Sequence, residues 1–254
     1  MIDKIIDKDI ILDEADHNYS LESDSSITFT SCTSFVKCFF EPFDRIGIAN
    51  NLVAHHPKYM GMMPHELAQE WDHKAEEGTL VHNEIDEYIK HGKTPKTDKG
   101  NLAVSWLESY KNENHKLLSE VVIYSKELQL AGTIDLLVYD KTNNSFEIFD
   151  WKTSRKIEKN AFKNKKGITP ATSKLMDCNF IHYSLQLSLY RYLLEEYYNV
   201  SVGKTTVVHL NGISTIPYES EYFKSEIEEM LKYDREILKK IAEEKLTKEY
   251  INPN

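Results

Sequence analysis

The order of apolar and polar positions predicts a chain that is helical in its first part and begins its main strands near residue 119. A polar turn at 22–26 separates two short strands predicted within 17–30. Ser31 is placed to cap a short helix that follows. Apolar positions then recur with a helical period over residues 44–56, 64–90 and 101–117, with a loop at 91–100. Gly78 is expected to divide the second of these three helices.

Residues after 118 lose the helical period and are rich in β-branched side chains. Strands are predicted over residues 119–125, 130–139 and 145–152, and residues 140–144 have the composition of a turn. Because strands joined by short turns pair with their neighbours in antiparallel fashion, we expect a three-stranded meander.

The rest of the pattern completes a mixed α/β fold. A long loop at 153–180 is followed by a helix at 182–198, a strand at 204–211 and an amphipathic helix at 221–245. The prediction is a central mixed sheet that contains the antiparallel meander, is flanked by helices and carries a helical N-terminal part. We expect one compact unit, in which strands and helices of residues 1–77 pack on a core formed by residues 78–254.

The overall composition is that of a globular protein. Hydrophobic residues make up 41 % and charged residues 28 % of the 254 residues. No apolar run approaches the ~18 residues that span a bilayer, and the N-terminus lacks the basic and apolar blocks of a secretory signal. We therefore expect a protein of the cytosol without a membrane partner. The cysteines, Cys32, Cys38 and Cys178, are too few for a four-ligand zinc or iron–sulfur site and are expected to be ordinary thiols.

Charge is distributed unevenly along the chain. The formal net charge is −10, which argues against nonspecific coating of nucleic acid. Residues 152–166, however, hold seven Lys or Arg against one Glu, a local net charge of +6. A solvated loop has the same composition, but the position directly after a predicted strand favours phosphate binding. The candidate nucleic-acid contacts in this segment are Thr153, Arg155 and Lys156.

Asp150 and Lys152 are the first candidates for chemistry. They lie two residues apart on a predicted strand, so both side chains point to one face and Trp151 points to the other. An acid beside a lysine on one face can bind a divalent metal and position a water or phosphate near it. The same acid-x-Lys spacing occurs at 72–74 and 243–245, but in helical patterns, where such positions do not face each other.

Two further acids lie on the neighbouring strands. Asp135 stands inside an apolar strand, where a charge needs a partner, and the meander can bring it beside Asp150. Two adjacent carboxylates repel, and a divalent cation is the usual resolution. The alternative is that Asp135 only ends a ladder or caps a turn. Glu120 opens the first strand of the meander, where it is either a metal ligand or a solvated strand end.

Two helices carry ambiguous candidates. His82 lies on the apolar face of its helix, where a histidine is more often a satisfied core residue than a ligand. Gln186 and Tyr190 lie four residues apart and share one helix face. They are either part of a tyrosine-rich packing surface or a polar pair that contacts nucleic acid, with Arg191 as a phosphate-binding neighbour.

Taken in chain order, these residues resemble the PD-(D/E)XK nuclease superfamily, specifically its RecB-like exonuclease branch. The similar stretches are Gly78-Thr79-Leu80-Val81-His82, Glu120, Gly132-Thr133-Ile134-Asp135, Asp150-Trp151-Lys152-Thr153 and Gln186-Leu187-Ser188-Leu189-Tyr190. The last looks like that branch's Gln-x-x-x-Tyr motif. The run from His17 to Phe40, and Trp71, are more loosely similar to upstream parts of phage and mitochondrial-genome-maintenance relatives.

The resemblance implies a restriction-endonuclease-like core with a metal site at the open edge of the sheet. His82, Asp135, Asp150 and the backbone carbonyl of Trp151 would hold Mg²⁺ or Mn²⁺, and Glu120 would contribute through water. Lys152 would orient or activate the attacking water and stabilise charge on the phosphate. One metal ion and two remain open alternatives.

The cysteine content separates this chain from part of that branch. Several RecB-like exonucleases carry four cysteines that bind an iron–sulfur cluster, whereas this chain has three, so we expect no cluster and a phage, viral or mitochondrial type. The hypothesis is a Mg²⁺- or Mn²⁺-dependent deoxyribonuclease, an exonuclease acting on single-stranded or frayed DNA ends. The alternatives are a noncatalytic DNA-end or protein-binding module and a structure-specific endonuclease. Replication, recombination, repair and phage genome processing remain open roles.

Overall fold

A mixed sheet lies at the centre of the computed structural model, which describes residues 2–13, 18–238 and 240–241. Two short strands, β1 (Ile10–Asp13) and β2 (Asn18–Leu21), pair with each other in antiparallel fashion outside this sheet. Within the described residues, the sheet consists of β3 (Thr30–Ser31), β4 (His115–Ser125), β5 (Leu130–Asp140), β6 (Ser145–Lys152), β7 (Val202–Leu210) and β8 (Thr215–Glu219).

The pairing of the strands contains the predicted meander. β4, β5 and β6 pair in antiparallel fashion with their chain neighbours. β7 is parallel to β6 and antiparallel to β8, and β3 adds a short parallel pair to β5. The sheet is therefore mixed, as the sequence predicts.

Capping residues explain where several helices begin and end. The described helices are α1 (Cys32–Lys37), α2 (Arg45–His55), α3 (Pro64–His91), α4 (Asp98–Tyr110), α5 (Asn179–Tyr197) and α6 (Lys224–Met230). Ser31, Asp44 and Thr97 each accept a hydrogen bond from a first-turn N–H, at α1, α2 and α4. α3 begins at Pro64 and ends before Gly92, whose φ of 69° favours glycine.

Two hydrophobic cores lie on opposite faces of the sheet. Along β6, Phe146 and Ile148 join one core, whereas Phe149 and Trp151 join the other. The first, which we call the main core, packs the sheet against α1, α5 and α6, and the second core packs it against α3 and α4. The predicted arrangement of a sheet flanked by helices is confirmed.

Some predicted boundaries are wrong. Gly78 does not divide α3, which runs unbroken through it. α4 ends at Tyr110, and residues 115–117, predicted to be helical, begin β4, because the side chain of Asn112 accepts a hydrogen bond from the N–H of Asn114 and forms a turn. β1 and β8 were not predicted, and β2 pairs with β1.

The helix predicted over 221–245 is shorter and interrupted. α6 covers only Lys224–Met230, and the chain turns before a further helical stretch at 235–238. Asp234 explains the break, because its side chain accepts hydrogen bonds from the N–H groups of Glu236 and Ile237 and so starts a new helical turn. Residues 242–245 lie outside the described residues, as does His17.

The division at residue 77 stays a prediction, and α3 spans that boundary. None of the helices in the described ranges is long and apolar enough to cross a membrane.

Candidate metal centre

Two aspartates lie where β5 and β6 diverge. Backbone pairing between these strands ends at Leu136 and Phe149, so Asp135 and Asp150 occupy the next opposed positions. In place of a ladder bond, the Oδ2 atom of Asp135 accepts a hydrogen bond of 2.8 Å from the backbone N–H of Trp151. The sequence prediction that the meander brings the two acids to one point of the sheet agrees with this register.

Glu120 lies opposite this point on β4, in a strained backbone conformation. Its φ is 49°, which is uncommon for a residue other than glycine. Leu118 and Val121, three residues apart, both pack on the main core, and so do Ile134 and Leu137 on β5. Residues three apart on a regular strand face opposite sides, so both strands break their alternation here. Strain of this kind is concentrated at functional sites.

His82 reaches the same point from α3. Its neighbours Val81 and Ile85 are buried in the second core and fix the helix against the sheet. The Nε2 atom of His82 lies 3.1 Å from the carbonyl oxygen of Trp151, and its Nδ1 atom lies 3.6 Å from Oδ2 of Asp135. Burial lowers the pKa of His82, but the charge and the hydrogen bond of Asp135, together with the charge of Glu120, outweigh burial, so the net pKa is raised.

The side chains of His82, Glu120 and Asp135 suit a divalent cation. One ligand atom of each lies within 4.8 Å of the others. Burial and the charge of Asp135 raise the pKa of Glu120 to about 8, so this carboxyl holds a proton at neutral pH unless a cation is nearby. Carboxylate oxygens suit Mg²⁺ and Mn²⁺, and the Trp151 carbonyl adds a further oxygen beside His82. The donor set therefore fits the predicted metal.

Asp150 is ion-paired with Lys152 at the edge of this group. Asp150 is only 2 % exposed, and its Oδ2 atom lies 2.6 Å from Nζ of Lys152. Burial raises the pKa of Asp150 to about 6, although Lys152 opposes the shift. The structure thus brings Asp150 and Lys152 together on one face, as predicted. Among the described residues, the three side chains that lie close enough together to bind a metal ion are instead those of His82, Glu120 and Asp135.

Gln186 and Tyr190 lie behind Asp150. The Nε2 amide of Gln186 donates to Oδ1 of Asp150 at 3.3 Å and to the hydroxyl of Tyr190 at 2.9 Å. Tyr190 is only 3 % exposed, so its hydroxyl is inaccessible to a nucleic acid in this conformation. A Cβ atom at Gly132 would lie 2.5 Å from the Tyr190 ring, which explains why glycine stands there.

Side chains from two other elements hold the segment after β6. Lys99 in α4 donates from Nζ to the carbonyl of Thr153 at 2.7 Å. His209 in β7 places Nε2 2.6 Å from the carbonyl of Ser154. A Cβ atom at Gly78 would lie 3.0 Å from Oγ1 of Thr153, so glycine allows α3 to approach this segment. Sequence reasoning did not identify Lys99 or His209, since neither belongs to a recognisable spacing.

The basic segment is partly neutralised by contacts within the fold. Lys165 forms an ion pair with Glu41, and Lys156 lies 3.7 Å from Glu158 in an exposed pair. Lys159 lies over two aromatic rings, 4.9 and 5.1 Å from their centres. Only part of the +6 charge is therefore available to a ligand.

The two candidate arginines differ in their surroundings. Arg155 is exposed and, within the described ranges, has no partner side chain. Arg191 instead donates to Glu195 at 2.9 Å and to the carbonyl of Gly203 at 3.1 Å, and stacks on Tyr222. The structure does not bring Arg191 to the metal centre.

Comparison with known proteins gives one family. A family model described as the PD-(D/E)XK nuclease superfamily matches residues 51–251. A solved structure described as "Crystal structure of SSO0001" is similar at 15 % sequence identity and a TM-score of 0.36, covering 86 % of this chain and 75 % of that chain. No curated protein matches the sequence.

Proposed function

The chain belongs to the PD-(D/E)XK nuclease superfamily, and on that premise we propose that this nuclease is a Mg²⁺- or Mn²⁺-dependent exonuclease of the RecB-like branch, acting on single-stranded or frayed DNA ends. The observation that carries the proposal is the convergence of His82, Glu120 and Asp135 within 4.8 Å, beside the ion pair of Asp150 and Lys152.

In this proposal, His82, Asp135 and Asp150 hold the cation together with the carbonyl of Trp151, and Glu120 contributes directly or through water. When bound, the cation supplies Lewis-acid polarisation of the phosphoryl group. The carboxylates orient water by accepting its hydrogen bonds. Lys152 donates hydrogen bonds towards the phosphate and stabilises the negative charge that develops there.

Gln186 and Tyr190 support the assignment to the RecB-like branch, because their spacing is that of the Gln-x-x-x-Tyr motif. The hydrogen bond from Gln186 to Asp150 gives this pair a positioning role behind the metal centre. That role differs from direct contact with nucleic acid, which stays a prediction for Gln186, Tyr190 and Arg191.

The segment after β6 is the proposed path of the DNA backbone. Thr153 follows Lys152 directly, and Arg155 and Lys156 are exposed next to it. Cations in such a position bind phosphate without reading sequence, as a nuclease of broad specificity requires. The preference for single strands and ends rests on the family resemblance, and the aromatic side chains near Gln186 would suit the stacking of single-stranded bases.

A digestion panel tests this function. Linear single-stranded, linear double-stranded, frayed and circular single-stranded DNA, together with RNA, are incubated with Mg²⁺, Mn²⁺ or EDTA. We expect progressive loss of linear single-stranded and frayed DNA with either metal, and intact circles. Cutting of circular DNA would instead support the endonuclease alternative. Binding of DNA ends without cutting in any metal would support the noncatalytic module.

A further inference from the structure

Lys152 contacts an aromatic ring as well as a carboxylate. The Nζ atom of Lys152 lies 4.8 Å from the ring centre of Tyr183 in α5, a cation–π distance. The Lys152 side chain is 18 % exposed, so little water competes for its ammonium group. Tyr183 therefore lies directly beside the ammonium group that, in the proposed reaction, faces the phosphate.

One face of α5 supports both members of the ion pair. Tyr183 and Gln186 are three residues apart and share a helix face, with a rise of about 4.5 Å between them. Asp150 and Lys152 are two residues apart on β6, about 6.6 Å along the strand. The similar separations let Gln186 contact Asp150 while Tyr183 contacts Lys152.

The ion pair alone does not fix the orientation of the Lys152 ammonium group. A lysine side chain is long and has several rotatable bonds, and its ammonium group accepts many geometries around a carboxylate. The 2.6 Å contact with Asp150 draws the ammonium group towards Oδ2 from one side. The Tyr183 ring lies against it as a second, flat surface and so restricts the directions that remain.

We propose that Tyr183 is a positioning residue that holds the ammonium group of Lys152 in its working orientation through the face of its ring. This inference rests on the proposed nuclease function, since it assigns Tyr183 to the lysine of that site. The ring packs on the main core, which fixes its place. The ring of Tyr183, and not its hydroxyl, is the part that acts on Lys152.

Three substitutions separate positioning from packing. Tyr183→Phe keeps the ring, Tyr183→Leu keeps apolar bulk without a ring, and Tyr192→Leu makes the same change at another partly buried tyrosine of α5. We expect Tyr183→Leu to lower kcat about tenfold with KM within about twofold, as for loss of one desolvated cation–π contact. Tyr183→Phe should restore most of kcat, and Tyr192→Leu should shift only the melting temperature.

Two kinetic results would overturn the inference. If Tyr183→Phe loses as much kcat as Tyr183→Leu, the hydroxyl and not the ring is responsible. If Tyr183→Leu mainly raises KM, Tyr183 contacts the substrate and does not act through the lysine. A wild-type enzyme that cuts nothing contradicts the proposed function instead, and a second measurement then tests the inference without activity.

That measurement is the proton chemical shift of the Lys152 ε-methylene group in protein labelled with ¹³C-lysine, assigned by its disappearance in Lys152→Arg. A ring face beside the side chain moves these protons upfield. We expect the upfield shift in the wild type and Tyr183→Phe, and its loss in Tyr183→Leu. The same shift in all three proteins would overturn the contact, whether or not the protein cuts DNA.

Discussion

Replacing Gln186 by methionine should raise the pKa of Asp150 and increase the Mg²⁺ concentration that the enzyme needs at neutral pH. The substitution keeps the length and volume of the side chain but removes the amide that donates to Oδ1 of Asp150. Because Asp150 is almost fully buried, no water can replace the lost donor at full strength.

The size of the effect follows from the length of the contact. A hydrogen bond to a charged group contributes about 1.5–3 kcal/mol, and the 3.3 Å separation places this one near the lower end. A loss of about 1.5 kcal/mol corresponds to a rise in pKa of about one pH unit. The pKa of Asp150, about 6 in the metal-free protein, would then lie close to neutral.

The sign follows from linkage between protonation and folding. The folded-state pKa of Asp150 lies above its ordinary value of 3.8, so the folded protein binds the proton more tightly than the unfolded chain. The stability of the metal-free protein therefore falls as pH rises from about 4 to about 6. In Gln186→Met, the fall should continue to about pH 7.

The assay measures the Mg²⁺ concentration for half-maximal cutting between pH 6 and pH 9. A proton and a cation compete for the same carboxylate, so Gln186→Met should need about threefold more Mg²⁺ at pH 6.5 and a near-normal amount at pH 9. Gln69→Met, at an exposed position of α3, is the control. Coincident Mg²⁺ requirements of Gln186→Met and wild type at every pH would refute the reasoning.

Three other changes have direct outcomes. Gly132→Ala should lower the free energy of unfolding by about 1–3 kcal/mol in urea titrations, because its Cβ would meet the ring of Tyr190; an unchanged midpoint would contradict this packing. Glu84→Gln should lower the free energy of unfolding by about 1 kcal/mol, since Glu84 accepts hydrogen bonds from the N–H and hydroxyl groups of Thr97, the residue that caps α4. Burial raises the pKa of Glu84, but these hydrogen bonds lower it by more, so the net pKa is lowered. The stability that Glu84 contributes should therefore disappear as pH falls below about 4.5, which acid unfolding of both proteins can check. Arg155→Ala should raise KM and lower by about one the slope of log affinity for DNA against log salt concentration, as for the loss of one phosphate contact. A slope identical to that of the wild type would exclude Arg155 from the DNA path.

Strong local patterns made most of the sheet predictable. The apolar runs of β5 and β6 indicated the meander, and the short turn between the two strands sets its register. β8 was missed because it is short, contains Pro217 and has mostly exposed side chains, as edge strands do. β1 was missed because it has only four residues, Ile10–Asp13, which are too few to show a strand period.

The candidate site was predictable where spacing on one element carries the information. Asp150 and Lys152 share a strand face, and Gln186 and Tyr190 share a helix face, so sequence spacing identifies both pairs. The face of Glu120 depends on its positive φ, which no property of a glutamate predicts. The ion pair between Lys165 and Glu41 joins residues 124 positions apart. The part of the charge of residues 152–166 that remains available to a ligand can therefore be read only from the fold.

The most direct test of a metal-dependent nuclease centred on these acids is the cutting rate of Asp135→Asn on linear single-stranded DNA, with Asp140→Asn, on the same strand, as the control. Asparagine retains an oxygen that can accept the hydrogen bond from Trp151 but loses the charge that would hold a cation. We predict that wild type and Asp140→Asn cut with Mg²⁺ and stop with EDTA, and that Asp135→Asn, still folded, is slower by at least about a hundredfold. Cutting by Asp135→Asn at the wild-type rate, or undiminished cutting in EDTA, would contradict the assignment.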